Sequence, residues 1–163
     1  MDRMEQTVIY LEAATASLAT NSAYLALCQQ VRRSVFVKEQ GVDERIDFDG
    51  KDPTCGHILL LIGDDAVGTV RIRTTDEGTK LERIAVLSEY RGLKFGELLV
   101  RCALSVADEP IYIHAQVRSE GFYEKLGFVC EDPTIFYEAD IPHKTMIWPH
   151  GQGVAPCTII RPS

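Results

Sequence analysis

The stretch that most constrains the fold covers residues 81–97 and reads LERIAVLSEYRGLKFGE. A β-type run over 80–87 passes through a glycine-containing loop into a helix that is predicted over about 97–107. A strand that enters a helix in this way points several free backbone N–H groups in one direction, and the helix dipole favours an anion there. Arg91 and Lys94 add positive side chains. The stretch therefore predicts a phosphate-binding turn between a strand and a helix.

Strands and helices surround this stretch on both sides. The patterns predict strands at 8–11, 57–62, 67–74, 80–87 and 111–116, strand pieces at 128–129, 135–137 and 145–148, and helices at 22–38 and 119–126. This order is typical of a mixed sheet with helices packed on it. We expect one α/β domain over 1–148, followed by a tail over 149–163 that is loose or adds one strand.

The charge balance limits the classes of ligand. The chain has 163 residues, with 17 Lys and Arg against 24 Asp and Glu, and a net charge of −7. This argues against broad binding to nucleic acid or to an anionic membrane surface, which both need a basic face. A small anionic ligand is compatible with it, because a site responds to local charge. Arg71 and Arg73 fall on one face of a predicted inner strand, which indicates an anion beside them.

The cysteines and the N-terminus favour a cytoplasmic protein without a metal site. Five cysteines cannot all pair within one chain, and their spacing lacks CxxC and Cys/His ligand patterns, which favours reduced thiols. The segment 1–6 is charged and lacks the apolar run of a signal peptide. The longest apolar run, 58–62, is far too short to span a membrane.

Several motifs resemble the GNAT N-acetyltransferase superfamily. Arg91-Gly-Leu-Lys-Phe-Gly96 is similar to the R/Q-x-x-G-x-G/A loop that holds the acetyl-CoA pyrophosphate, with Lys94 where the first glycine usually lies. Gly121-Phe-Tyr-Glu-Lys-Leu-Gly-Phe128 resembles a segment of the superfamily's fourth helix. The V-F-V-x-E-Q pattern at 35–40 and Ile141-Pro-His143 resemble a subgroup of small acetyltransferases.

The resemblance implies a mixed, mostly antiparallel sheet with flanking helices, splayed open between the strands at 80–87 and 111–116. Acetyl-CoA would lie in that gap as co-substrate. A parted strand edge offers unpaired N–H and C=O groups to an amide-bearing ligand. The expected cofactor contacts are Ile84, Ala85 and Val86 for the pantetheine, Arg91, Gly92, Leu93, Lys94, Phe95, Gly96 and Glu97 for the pyrophosphate, and Gln116 for the pantetheine or the splay.

We expect the departure from the motif at Lys94 to weaken the backbone contacts with the phosphate. Because lysine carries a Cβ, we expect this residue to keep an ordinary φ, whereas glycine would tolerate any φ. The loop should then cradle the phosphate less closely, and the ammonium group should partly compensate.

The resemblance also suggests catalytic residues. Glu82 is the expected general base, acting directly or through a water, although it is equally suited to pair with the nearby arginines. Tyr123 is the expected general acid toward the CoA sulfur, and its alternative role is to pack the helix on the sheet. A backbone N–H near 84–86 would stabilise the oxyanion. We expect His114 to lie on an ordinary strand face.

The acceptor side is less constrained. Its candidate residues are Phe36, Glu39, His57, Arg71, Arg73 and His143, each of which could instead belong to the core or to a surface ion pair. The acidic segment 43–52 is expected to be a solvated loop beside the entrance. The expected acceptor is a small-molecule primary amine, such as glucosamine 6-phosphate, because two arginines suit a phosphate. The alternatives are a protein amine and a non-catalytic acyl-CoA-binding module, and exposed strand edges are compatible with a homodimer.

Overall fold

A computed structural model describes residues 5–162, in which one eight-stranded sheet is flanked by helices. The strands are β1 (Gln6–Leu11), β2 (Gly56–Ile62), β3 (Asp65–Thr75), β4 (Gly78–Val86), β5 (Ile111–Gln116), β6 (Phe136–Glu138), β7 (Ile141–Trp148) and β8 (Ile159–Ile160). The helices are α1 (Ser22–Arg32), α2 (Glu44–Asp47), α3 (Phe95–Val106) and α4 (Glu120–Leu126). A π-helical segment, Arg33–Glu39, continues α1.

The sheet is mixed and mostly antiparallel, which confirms the predicted fold class. Its strand order is β6-β7-β5-β4-β3-β2-β1-β8. The pairs β4–β5 and β1–β8 run parallel. The other neighbouring pairs run antiparallel, including the β2–β3 hairpin.

Strands β4 and β5 part after a short paired stretch. Their register joins only 79–81 of β4 to 111–113 of β5, and both strands continue beyond it. On its other edge β4 carries a bulge against β3, where the register shifts between Thr69 and Arg71. Arg83 lies at this bulge with a φ of 52°, a conformation that side chains rarely adopt. The bulge therefore bends β4 where the gap opens.

Two apolar clusters hold the helices to opposite faces of the sheet. Helix α3 packs Leu99 and Cys102 on the face that carries Ile58 and Val70. Helix α1 packs Cys28 and Val31 on the other face, against residues such as Leu59. Successive residues of β2 thus enter opposite clusters, as strand alternation requires.

Several elements differ from their predicted bounds. The helical pattern predicted over 22–38 changes type, because its last six residues belong to the π-helical segment, which ends at Glu39. Only Val129 of the predicted piece 128–129 forms a β-bridge, with Ile147, whereas β7 begins four residues earlier than predicted. In the tail, β8 pairs in parallel with β1. The domain boundary at 148 stays a prediction, and residues 1–4 of the segment interpreted as lacking a signal peptide lie outside the described residues.

Three further sequence interpretations concern thiols, membranes and metals. The five cysteines are free, and Cys28, Cys55 and Cys102 are buried. Across residues 5–162 the structure contains no helix with the length and apolar character to cross a membrane. The same residues form no group of three or more His, Cys, Asp or Glu side chains arranged to hold a metal ion.

Candidate active site

A cavity of about 430 Å³ opens in the gap between β4 and β5. The π-helical segment closes one side of it, and α4 and the β6–β7 hairpin form others. Many of the predicted site residues line this cavity: Phe36, Glu39, Glu82, Ile84, Ala85, Val86, Arg91, Gln116, Tyr123 and His143. The fold thus brings the predicted base, acid and pantetheine contacts together with half of the predicted acceptor residues.

The remaining predicted residues lie elsewhere. The last six residues of the predicted phosphate loop, Gly92, Leu93, Lys94, Phe95, Gly96 and Glu97, lie beyond the cavity lining and lead into α3. Three predicted acceptor residues, His57, Arg71 and Arg73, also lie outside the lining. His57 is buried, with Nε2 2.8 Å from the carbonyl oxygen of Asp52, and burial lowers its pKa.

Arg71 is engaged by the protein's own carboxylates. Its guanidinium is fully buried and donates to Asp49 at 2.8 Å, to Asp52 at 3.0 Å and to Glu82 at 2.7 Å. Arg73 donates from Nε to Glu82 Oε1 at 2.6 Å. The anion that the two arginines indicated is therefore internal, and the expectation that they bind an acceptor phosphate is not supported by this geometry.

The acidic segment 43–52 supplies part of that internal charge, so its interpretation as a solvated loop holds for its exposed residues and is wrong for Asp47 and Asp52. Asp47 and Asp52 are buried, and Arg32 beneath them is fully buried. Arg32 Nη1 lies 2.7 Å from Asp52 Oδ1, and Arg83 Nε lies 3.0 Å from Asp47 Oδ1. The aspartates turn inward because buried arginines need counter-charges.

Glu82 is surrounded by cations. Besides its bonds from Arg71 and Arg73, its Oε2 lies 3.3 Å from Lys80 Nζ and 3.7 Å from Arg83 Nη1. Burial by itself would raise the pKa of Glu82, but the hydrogen bond from Arg73 and the charge of Arg71 outweigh it and lower the pKa to about 2. Such a carboxylate is a weak proton acceptor. Glu82 lines the cavity, as a general base would, and it also pairs with the arginines, as its alternative role requires.

The position of Tyr123 is likewise compatible with both of its predicted roles. Its ring packs edge to face on Phe122 and Phe128, with centroids 5.0 and 5.7 Å away. It also lines the cavity from α4, and burial raises the pKa of its phenol. A phenol with a raised pKa holds its proton at neutral pH, as a proton donor must.

The start of α3 has the features of an anion site. The helix begins at Phe95, and its first intrahelical bond runs from Leu98 N–H to the carbonyl oxygen of Lys94 at 3.1 Å. The N–H groups of the first turn of α3 have no partner within the helix. Lys94 has a φ of 65°, so the expectation of an ordinary φ was wrong. The chain must turn sharply to enter the helix, and lysine adopts the conformation that glycine would take there.

Arg91 joins the two sides of the cavity mouth. Its guanidinium forms a bidentate pair with Glu39, at 2.5 and 2.7 Å, and donates from Nε to the carbonyl oxygen of Val86 at 3.0 Å. A predicted cofactor residue and a predicted acceptor residue thus bind each other.

Known proteins resemble this chain in sequence and in fold. A family profile described as "Acetyltransferase (GNAT) family" matches residues 23–128. The chain belongs to the GNAT acetyltransferase family. The motifs at Arg91–Gly96 and in α4 both fall within the matched residues.

Relatives of this GNAT protein agree over most of its length. YjcF of Bacillus subtilis, described as an N-acetyltransferase, is 32% identical over 136 residues, covering 81% of this chain and 97% of that protein. Protein ElaA of Escherichia coli is 34% identical over 139 residues, covering 78% of this chain and 88% of that protein. The crystal structure of ElaA matches with a TM-score of 0.71, over 89% of this chain and 99% of that one.

A more distant neighbour shares only the fold. The catalytic domain of the Tetrahymena GCN5 histone acetyltransferase, solved in complex with coenzyme A, has a TM-score of 0.61 at 11% identity, over 92% of this chain and 96% of that one. Together with the family match, these likenesses make the protein an acyltransferase of the GNAT type.

Sequence reasoning missed several residues in the cavity of this acetyltransferase, among them Lys80, Arg83, His114 and Glu138. His114 lines it instead of lying on an ordinary strand face, and Nδ1 is 2.7 Å from Oε1 of Glu138, which also lines it. A signal for His114 was present, because it lies two residues before Gln116 and therefore on the same face of β5. Glu138 carries no comparable signal, since it is brought in by the β6–β7 hairpin.

Proposed function

We propose that the protein is an acetyl-CoA-dependent N-acetyltransferase that transfers the acetyl group directly to the primary amine of a small molecule. The observation that carries this proposal is the parting of β4 and β5 over a cavity of about 430 Å³ with titratable groups on its walls. Ligand cavities of roughly 300–1,000 Å³ suit small molecules. This one has to hold the thioester as well as the acceptor, which favours a small amine.

The donor side is formed by β4 and α3. Beyond Leu81 the β5-facing edge of β4 has left its partner, so the backbone of Ile84, Ala85 and Val86 offers hydrogen bonds to the pantetheine amides. The first turn of α3, with Arg91 and Lys94 nearby, offers N–H groups and positive charge to the pyrophosphate. The coenzyme A complex of a protein with this fold supports this assignment.

The acceptor side carries polar groups from three elements, with Phe36 as an apolar neighbour. Glu39 and Phe36 come from the π-helical segment, Lys80 from β4, and His143 from β7. An amino-sugar phosphate such as glucosamine 6-phosphate is one form of this acceptor. Lys80 and Arg83 are cations that line the cavity, but each already lies against a carboxylate, Glu82 at 3.3 Å and Asp47 at 3.0 Å, so a phosphate would compete with these pairs.

The test is a thiol-release assay with acetyl-CoA and a panel of amines, including glucosamine 6-phosphate, glucosamine, simple alkyl amines and lysine-containing peptides. We expect turnover on a small amine and little on the peptides. Preference for peptides would contradict the small-molecule acceptor. Acetyl-CoA binding without turnover on any amine would instead indicate a non-catalytic binding module.

A further inference from the structure

We infer that His114, oriented by Glu138, is the general base that takes the proton from the attacking amine, an inference that rests on the proposed acetyltransferase function. Both side chains line the cavity. Neither belongs to the motifs from which the family resemblance was drawn.

Glu82, the residue first expected in this role, is occupied by cations. Its Oε1 accepts hydrogen bonds from Arg71 Nη2 at 2.7 Å and from Arg73 Nε at 2.6 Å, and Lys80 lies 3.3 Å from Oε2. A proton on this carboxyl would leave a fully buried guanidinium short of counter-charge. The carboxylate therefore holds its cations and is poorly suited to cycle a proton.

The ring of His114 is fixed in one orientation by β6. An ionised carboxylate can only accept a hydrogen bond, so Nδ1–H of His114 donates to Glu138 and Nε2 keeps its lone pair. Phe136 packs on the ring in a T-shaped contact with centroids 4.9 Å apart. A carboxylate that holds one imidazole nitrogen while the other accepts a proton is a recurrent design of catalytic bases.

The position of His114 suits proton transfer in the gap. Pairing of β5 with β4 ends at Ile113, so His114 is the first residue of β5 beside the opened stretch. Its side chain keeps 23% of its surface exposed, which leaves the ring accessible from the cavity. The strand thus presents a base where the donor's thioester and the amine must meet under the proposed function.

The charges around this imidazole come from four elements. Glu138 of β6 accepts the hydrogen bond from Nδ1 of His114, and Lys80 of β4 is a cation on the cavity wall. His143 of β7 lies 4.0 Å from the other oxygen of Glu138 and donates from Nδ1 to the carbonyl oxygen of Ile141. Glu82 of β4 and Tyr123 of α4 also face the cavity. Glu82 is an ionised carboxylate paired with cations, and Tyr123 is a protonated phenol.

The proposed step moves the acetyl group from the sulfur of coenzyme A to the amine nitrogen. The amine nitrogen attacks the thioester carbon, the C–N bond forms, and Nε2 of His114 accepts the proton that the nitrogen loses. The C–S bond then breaks with its electron pair leaving on sulfur, and the thiolate takes a proton from a donor, for which Tyr123 is proposed. The imidazolium finally releases its proton to solvent, Tyr123 regains a proton from solvent, and the products are the amide and the free thiol.

The test compares His114→Gln with wild type on an amine that wild type acetylates. Removal of a general base costs about 100-fold or more in turnover. We expect kcat to fall by about that factor, with the KM for acetyl-CoA changed less than threefold. The acid limb of kcat/KM against pH should also disappear, and imidazole added to His114→Gly should restore part of the rate.

His150→Gln is the matched control, since this exposed histidine bonds the carbonyl oxygen of Gly127 outside the cavity. It should retain wild-type kinetics. A His114→Gln protein that melts normally and turns over within threefold of wild type would overturn the assignment while leaving the acetyltransferase function intact. A wild-type protein that acetylates no amine would overturn both.

Glu138→Gln separates positioning from structure. Without the carboxylate the imidazole loses the hydrogen bond that orients it, so kcat should fall about tenfold while the KM for acetyl-CoA and the melting temperature stay near the wild-type values. A fall in kcat matched by a rise in that KM would contradict the role of Glu138 as the partner of the base. Loss of the acid limb in Glu82→Gln, with His114→Gln retaining it, would return the role to Glu82.

Discussion

Strand β4 separates two charged regions that differ in what their charges bind. On the side of β3 and the acidic segment, Arg32 and Arg71 are matched by aspartates and by Glu82 at distances of 2.7–3.0 Å. On the side of β5, the gap leaves a strand edge and the His114 imidazole facing a cavity, and the start of α3 lies just beyond the lining. The first region is closed on itself, whereas the second keeps donors and acceptors for a ligand.

The difference shows how two uses of charge can share one strand. Glu82 belongs to the closed region through Arg71 and to the open region through the cavity. A buried guanidinium needs its full set of acceptors, and each of them is then withdrawn from chemistry. We therefore expect substitutions in the closed region to change mainly stability, and substitutions in the open region to change mainly binding and turnover.

The largest effect on stability should come from Arg71→Met. This change removes the buried cation that Asp49, Asp52 and Glu82 share, and breaking a buried ion pair from one side costs about 3–5 kcal/mol. Urea unfolding should show a midpoint lowered accordingly, with an unchanged slope. The control is Arg101→Met, which removes an exposed pair with Glu97 on α3 and should cost less than about 0.5 kcal/mol. Equal effects of the two variants would contradict the contrast between the regions.

A second effect should appear at acid pH. Because the folded state lowers the pKa of Glu82 from 4.5 to about 2, its contribution to stability is complete above pH 4.5 and is lost as the pH falls toward 2. That shift corresponds to roughly 3 kcal/mol, and Asp49, whose pKa is also lowered by Arg71, adds to the loss. Urea midpoints measured from pH 6 to pH 2 should fall over this window. Glu82→Gln should flatten part of the decline, and parallel curves for the two proteins would contradict this role of Glu82.

Local patterns predicted most of the fold, whereas partners distant in sequence could not be predicted. The strand, loop and helix of 81–97 lie where expected, because apolar spacing and glycine punctuation act over a few residues. The bonds of Arg71 reach Asp49, Asp52 and Glu82, which are 22, 19 and 11 residues away. Residue types revealed that an anion was needed beside Arg71, but not that the chain supplies it.

For the gap, too, local patterns predicted some of the residues and missed those that distant segments contribute. The β4 residues and Arg91 line the cavity and belong to one contiguous stretch of sequence, so they could be predicted. Glu138 reaches the cavity on the β6–β7 hairpin. Its hydrogen bond with His114 therefore could not be predicted from the sequence around the histidine. The left-handed conformation of Lys94 was also missed, because the geometry of helix entry prevailed over the preference of the residue.

A smaller effect should follow from Lys94→Gly at the edge of the open region. A residue other than glycine in the left-handed conformation costs about 1 kcal/mol, so the unfolding free energy should rise by about that amount. Acetyl-CoA should bind more weakly at low salt and with a weaker salt dependence, because the ammonium is lost. Lys94→Ala is the control, since it removes the same charge and keeps the strained φ. If the two variants are equally stable, the strain at this position is negligible.

The smallest effect should come from Glu39→Gln, which breaks the exposed pair between Glu39 and Arg91. Exposed ion pairs contribute little to folding, so the urea midpoint should not move measurably. Glu39 nevertheless occupies the guanidinium that is proposed to meet the pyrophosphate, and the two anions compete for it. Removing the carboxylate should therefore tighten acetyl-CoA binding, by at most about fivefold for a pair of this exposure. Arg91→Gln should weaken binding, and the double variant should bind no more tightly than Arg91→Gln alone, because the gain requires the arginine. Calorimetric titration with acetyl-CoA measures all three, and a gain that persists without Arg91 would show that Glu39 acts on the cofactor by itself.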